Sequence, residues 1–219
     1  SMPTPNRSTD NLRFLSSDQA LADLANVIIH IKKTLNSPNS RIITVGGSYP
    51  GNLSAWFRLK YPSITHGSIA SSAPVTAKVN FAEYMDVVGE SIRYFSGSEC
   101  YDALQEGAQH LALLTQDGFG GENMRKLEKD FRVCGEIRNK WDLAVFYSNI
   151  MGNLQGTVQY NNEHMGVFNI TDVCRVMQGS EESSYNKLGK LSKLYLEQAG
   201  EECDDASYKN TIDYLASTS

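Results

Sequence analysis

The sequence predicts an α/β fold in its first third, followed by a mostly helical region. Three observations carry that prediction. A strand-like, β-branched run, Arg41-Ile-Ile-Thr-Val45, lies between two stretches with helical spacing. A second strand-like run, residues 64–71, follows the second of those helices. From about residue 80 onward strands become scarce and helical spacing dominates. The helix–strand–helix–strand order of the first part suits a parallel sheet covered on both faces.

The elements can be justified in order. Ser16-Ser17-Asp18-Gln19 resembles a capping box, with Ser16 as N-cap and Gln19 reaching back to it. Leu21, Leu24, Ile28, Ile31 and Leu35 then recur at helical spacing. Asp18 and Asp23 near the start and Lys32 and Lys33 near the end complement the helix dipole. Asn36-Ser37-Pro38-Asn39-Ser40 reads as a turn, and a strand is expected over 41–45. A helix carrying Leu53, Trp56, Phe57 and Leu59 follows and stops before Pro62.

Later helices are marked by Phe81, Tyr84, Val88 and Ile92, and by Leu104, Ala108, Leu111 and Thr115. The second of these ends at Gly118-Phe119-Gly120-Gly121. Leu127 with Phe131, Trp141 with Val145, and Leu188 with Leu191 and Tyr195 mark three more. Residues 156–161, Gly-Thr-Val-Gln-Tyr-Asn, read as extended.

Charge and cysteine usage divide the chain near Ala73-Pro74-Val75. Residues 1–75 hold seven Lys/Arg against three Asp/Glu, a net of +4, while residues 76–219 hold thirteen against twenty-two, a net of −9. An acidic second part argues against a nucleic-acid partner. No run of about 18 apolar residues occurs, so no membrane partner is expected.

All four cysteines, Cys100, Cys134, Cys174 and Cys203, fall in the second part. None forms a CxxC pair, and the four histidines lack zinc-ligand spacing, so neither a metal nor a cofactor is expected. An even count fits two disulfides, in any of three pairings. The competing reading is four buried free thiols in a cytosolic protein. Glycosylation sequons at Asn6, Asn52 and Asn169 join the cysteines in favouring a secretory-route compartment.

The segment with chemical content is Val45-Gly46-Gly47-Ser48-Tyr49-Pro50-Gly51. A serine on a sharp strand-to-helix turn projects its hydroxyl above the sheet, the arrangement of a nucleophile elbow. Its competitor is a plain Gly-Ser turn whose serine caps the next helix. Strand-like residues before, helix-like residues after and small neighbours around Ser48 favour the elbow, which forces strand and helix close together. Pro50 stands where the elbow pattern has glycine, with Gly51 next. Proline fits a first helical turn, where its missing N–H is not required. Tyr49 would offer its backbone N–H to an oxyanion.

GGSYPG, followed by LSAWFRLKYP and GSIASSAPV, resembles the serine peptidases related to prolyl carboxypeptidase, dipeptidyl peptidase II and the thymus-specific serine protease. The upstream LRFLSSDQALADLA and the later VQYN are similar to that family too, and the Tyr-Pro variant most resembles the thymus-specific branch. The resemblance implies a partial α/β-hydrolase core over 1–75 and a mostly helical SKS-type insertion over 76–219. It also implies Ser48 as nucleophile, Tyr49 as an oxyanion N–H donor, and disulfides Cys100–Cys174 and Cys134–Cys203.

In that family the triad acid and histidine follow the helical insertion, and a second oxyanion donor comes from strands before this chain's start. The chain is therefore expected to be an internal fragment, starting at a tag remnant (Ser1-Met2), and silent alone. His30, His66, His110 and His164 are expected to be surface or packed histidines rather than the base. The open edges of its parallel sheet are expected to promote self-association.

The resemblance further implies a peptide substrate, exopeptidase activity, a homodimer of the longer protein and a secreted or lysosomal/endosomal location. Asn52 replaces the apolar residue of the proline-specific members, which argues against a proline pocket. Its sequon is expected to be silent, leaving Asn6 and Asn169 for glycans. Trp56 and Phe57 read as core rather than substrate contacts. The alternatives are a non-catalytic family member that binds or inhibits through its helical domain, and an α/β-hydrolase esterase.

Overall fold

The computed structural model describes residues 4–6, 8–163, 166–179 and 182–217. The chain divides into two compact units, one reaching to Asn80 and the other starting at Phe81.

The N-terminal unit runs α1 (Thr9–Leu12), α2 (Ser17–Thr34), β1 (Ile43–Gly47), α3 (Tyr49–Lys60) and β2 (Gly67–Ser71). Ser16 caps α2 by accepting a hydrogen bond from the Gln19 N–H. The Gln19 side chain does not reach back, which corrects the full capping box. Its amide donates at 2.9 Å to Asp23, one helical turn on, an acceptor on its own face.

β1 and β2 pair in parallel, Ile43 opposite Gly67 and Gly47 opposite Ser71. β1 starts two residues later than expected. β2 starts later too, because a turn holds residues 61–65, with the Ile64 and Thr65 N–H groups on the Tyr61 carbonyl. The buried Thr65 hydroxyl donates to the Ile42 and Gly67 carbonyls and fixes the entry into β2.

Alternation on the sheet decides what meets α3. Thr44 and Ser68 sit opposite each other and both bond the buried Ser54 hydroxyl of α3, at 2.8 and 2.9 Å. Ile43, Val45 and Ile69 occupy the other pleat and stay exposed, Val45 at 71%. The sheet is thus not covered on both faces within this unit, contrary to the expectation. The small core is Leu21, Ala25, Ile28 and Phe57, where α2 meets α3. Ile31 and Leu35, expected on the packed face of α2, are exposed, because the core is too short to reach the last turns.

The C-terminal unit contains α4 (Glu83–Ser96), α5 (Ser98–Leu114), α6 (Glu122–Asp130), α7 (Lys140–Gln159), α8 (Ile170–Met177), α9 (Ser184–Ala199) and α10 (Tyr208–Ser217). Its core joins Leu111, Met124, Leu127, Phe131, Phe146 and Leu191, all at or near zero exposure. Two disulfides close it, Cys100–Cys174 and Cys134–Cys203. Among the described residues its β-structure is an isolated bridge between Val133 and Asp204.

Residues 156–159 are helical, not extended. Phe146, Ile150, Leu154 and Thr157 continue one buried face of α7, and the Thr157 and Tyr195 hydroxyls lie 2.5 Å apart. A favourable buried face outweighs the β propensity of Thr157 and Val158. Burial pushes the Tyr195 hydroxyl up to about 12. Trp141 is on the exposed side of the same helix, so the pair that marked this helix does not mark its core face.

Candidate active site

β1 ends at Gly47, and α3 begins one residue after Ser48, so one residue must turn the chain from strand to helix. Ser48 does so with φ +57° and ψ −132°, a left-handed backbone that costs a residue with a Cβ about 1–3 kcal/mol. The surrounding contacts hold it there. Its N–H donates to the Ser71 carbonyl at 3.0 Å, and its carbonyl accepts from the Gly51 and Asn52 N–H groups at 2.9 and 3.2 Å.

The turn is tight enough to exclude side chains at two positions. A Cβ on Gly46 would lie 2.2 Å from the Pro50 carbonyl oxygen. A Cβ on Gly51 would lie 2.9 Å from the Ala73 Cβ and 3.1 Å from the Gly46 oxygen. The second required glycine is therefore Gly51, and Pro50 sits in the first turn of α3 without disturbing it.

Ser48 does not act as a side-chain cap for α3, which removes the plain-turn reading. Its residue is exposed, and among the described residues its hydroxyl has no hydrogen-bond partner. The Tyr49 N–H likewise has no backbone acceptor among the described residues and opens the positive end of a twelve-residue helix. A hydroxyl and an unpaired N–H at a helix start can together serve acyl transfer, if a base reaches the hydroxyl.

Among the described residues, no histidine bonds Ser48. His66 precedes β2, with its N–H on the Ile42 carbonyl, at the opposite end of the parallel pair. The length of β1 separates it from Ser48 by about 15 Å. His30 shares a 3.4 Å contact with Thr34 on the exposed face of α2. His110 belongs to the other unit and packs its ring on Tyr185 at 4.8 Å. His164 lies outside the described residues.

Phe57 is fully buried, while Trp56 is half-buried and meets Tyr49 edge-to-face, their ring centroids 6.3 Å apart. Asn52 is 5% exposed, and its Nδ2 donates to the Pro74 carbonyl at 2.9 Å, which leaves no room for a glycan. Asn6 is exposed. Asn169 caps α8 in a capping box with Asp172, and its Nδ2 donates to Asn162.

Three features of the site escape sequence reasoning. One is the strained exit of β2, where Ser72 takes φ +48° beside Ser48. Another is the Asn52–Pro74 bond. The third is the Thr44–Ser54–Ser68 hydroxyl set beneath the elbow. Only the last leaves a trace in sequence, as small hydroxyl residues where apolar ones would be expected.

The amino-acid sequence has counterparts among known proteins. The family model described as Serine carboxypeptidase S28 matches residues 1–219. The human thymus-specific serine protease is 31% identical over 227 residues, covering 100% of this chain and 44% of its own length. The mouse lysosomal Pro-X carboxypeptidase is 36% identical over 138 residues, covering 61% of this chain and 27% of its own length. The chain spans less than half the length of the curated relatives it matches.

Proposed function

The chain belongs to the serine carboxypeptidase S28 family, and on that premise we propose that Ser48 is the nucleophile of a serine exopeptidase. The observation that carries the reading is the strained, uncapped Ser48 beside the unpaired Tyr49 N–H. The Ser48 oxygen attacks the scissile carbonyl, its proton passing to a base, and the Tyr49 N–H stabilises the oxyanion. Collapse expels the amine, which takes that proton, and leaves an acyl-enzyme. Water then attacks the ester, freeing the acid and restoring the Ser48 hydroxyl. No metal or cofactor takes part in this scheme.

The N-terminal unit on this reading is part of an α/β-hydrolase core, and the C-terminal unit is the SKS-type insertion. The acid, the histidine and the second oxyanion donor belong to a longer protein, so the 219-residue chain alone is silent. Two disulfides and relatives such as the lysosomal Pro-X carboxypeptidase support a secreted or lysosomal protein. Glycans would sit at Asn6 and Asn169, and the longer protein would pair as a homodimer.

The test is hydrolysis of a peptide panel by the longer protein and its Ser48→Ala variant. The expected result is a loss of about 10⁴-fold or more in kcat. Unchanged hydrolysis by the variant would exclude Ser48 as nucleophile.

A further inference from the structure

We propose that Asn52 is a positioning residue for Ser48, stapling the nucleophile helix to the exit of β2. The proposal rests on the reading of Ser48 as nucleophile. Pro74 has no N–H, so only its carbonyl is available, and the Asn52 amide must turn its NH₂ toward it. The bond spans 22 residues and joins the first turn of α3 to the segment after β2. Between its ends lies a closed set of contacts. The Asn52 N–H donates to the Ser48 carbonyl, and the Ser48 N–H donates to the Ser71 carbonyl. Ser72 follows at φ +48°, and the Ala73 Cβ lies within 2.9 Å of where a Gly51 Cβ would stand.

Two strained residues, Ser48 and Ser72, thus stand side by side at one end of the sheet, with the Asn52 amide bracing both. Strained backbone persists only where its surroundings over-determine it. Without the brace the 71–74 segment can relax, and the Ser48 N–H loses its fixed acceptor. The direction of the Tyr49 N–H changes with it.

The energetics argue that stability is not what the amide serves. Among the described residues the Oδ1 atom of Asn52 is buried without a partner, a net cost that an apolar side chain of similar size would avoid. A residue kept merely to fill this space would be leucine-like. The paired half of the amide therefore has a task that the unpaired half works against.

Asn52→Leu and Asn52→Asp in this chain, and in the longer protein, test the proposal. In this chain the readout is hydrogen exchange at the Ser48 amide, which does not depend on catalysis. It should accelerate about tenfold in Asn52→Leu while the core amides of α2 keep their protection. In the longer protein kcat should fall about 10- to 100-fold with KM within about twofold. Asn52→Asp should recover towards wild type as acidic pH protonates the carboxyl and restores a donor to Pro74.

Unchanged Ser48 exchange in Asn52→Leu overturns the proposal. So does faster exchange with unchanged kcat, or a change confined to KM, which marks a substrate contact instead. Failure of both variants to fold assigns Asn52 a structural role and overturns it as well. If Ser48→Ala retains activity, the nucleophile reading fails on its own, and the exchange result still reports whether the staple exists.

Discussion

The two units divide structural self-sufficiency and chemical content between them. Among the described residues the C-terminal unit joins twenty buried apolar or cysteine residues in one cluster and closes it with two interleaved disulfides. Among the described residues the N-terminal unit joins four such residues, Phe57 among them, and leaves Ile43, Val45, Ile69, Val27 and Ile29 exposed. Yet the N-terminal unit holds the strained Ser48 and, among the described residues, an unpaired helix-start N–H and two open strand edges. Strain at Ser48 has to be sustained by surrounding structure, and within this chain the support is thin: one paired strand, one helix face and the Asn52 bond. The comparison teaches that a strained backbone geometry can be held on a sparsely packed unit. An apolar groove of Leu24, Ile28 and Ile31 on α2, Ile42 just before β1, Val45 on β1 and Leu53 on α3 runs along this unit.

The largest expected effect falls on the self-sufficient unit. Replacing Cys100 and Cys174 together by alanine opens a link between residues 74 apart and should destabilise the C-terminal unit by about 4 kcal/mol. Segment-resolved hydrogen exchange should show the loss in α5 and α8 and leave α2 and α3 unchanged. Equal loss in both units would mean that they unfold as one, and the contrast would fail.

The converse substitution is Gly46→Ala. Its Cβ would collide with the backbone of Pro50, which cannot yield as a flexible side-chain tip could. A cost of about 3 kcal/mol is expected, read as lost protection in α3 while the helical unit keeps its melting transition. A variant with native α3 protection would show that the elbow is looser than its contacts indicate.

A smaller effect, confined to the C-terminal unit, concerns pH. Burial pushes the Asp204 carboxyl up, against the opposing hydrogen bond from Asn149, and the charge of Asp205 adds to the rise. Among the described residues its Oδ2 is buried without a partner. The folded state therefore holds this proton more tightly than the unfolded chain. The stabilisation is fully present below the unfolded value of about 3.9 and is lost as pH rises through the folded value. Asp204→Asn should flatten that slope and raise the melting temperature at pH 7. An unchanged slope would mean that Asp204 is not its source.

How much of this was legible in sequence follows the same division. Helices whose buried residues recur at i, i+4 and i+7, such as Leu104 and Leu111 in α5, announce themselves, because periodic burial is what the pattern encodes. The strand–Gly–Gly–Ser–helix order likewise exposes the elbow, since few residues can make so sharp a turn. Residues 156–159 misled because β-branched residues favour strands until a tertiary partner, here Tyr195, decides otherwise. Ile31 and Leu35 misled in the other direction. Their apolar spacing is genuine, but burial depends on what packs against them, and they stay 45% and 68% exposed. The Asn52–Pro74 bond was illegible because 22 residues separate the partners and only the fold brings them together.

The central claim is the proposal that Ser48 is a nucleophile by its geometry and that, among the described residues, no base reaches it. Active-site labelling with a fluorophosphonate, followed by peptide mass spectrometry, tests it most directly. The longer protein should be labelled at Ser48, and the 219-residue chain should remain unlabelled under the same conditions. Labelling of Ser48 in the 219-residue chain at a comparable rate would contradict the account.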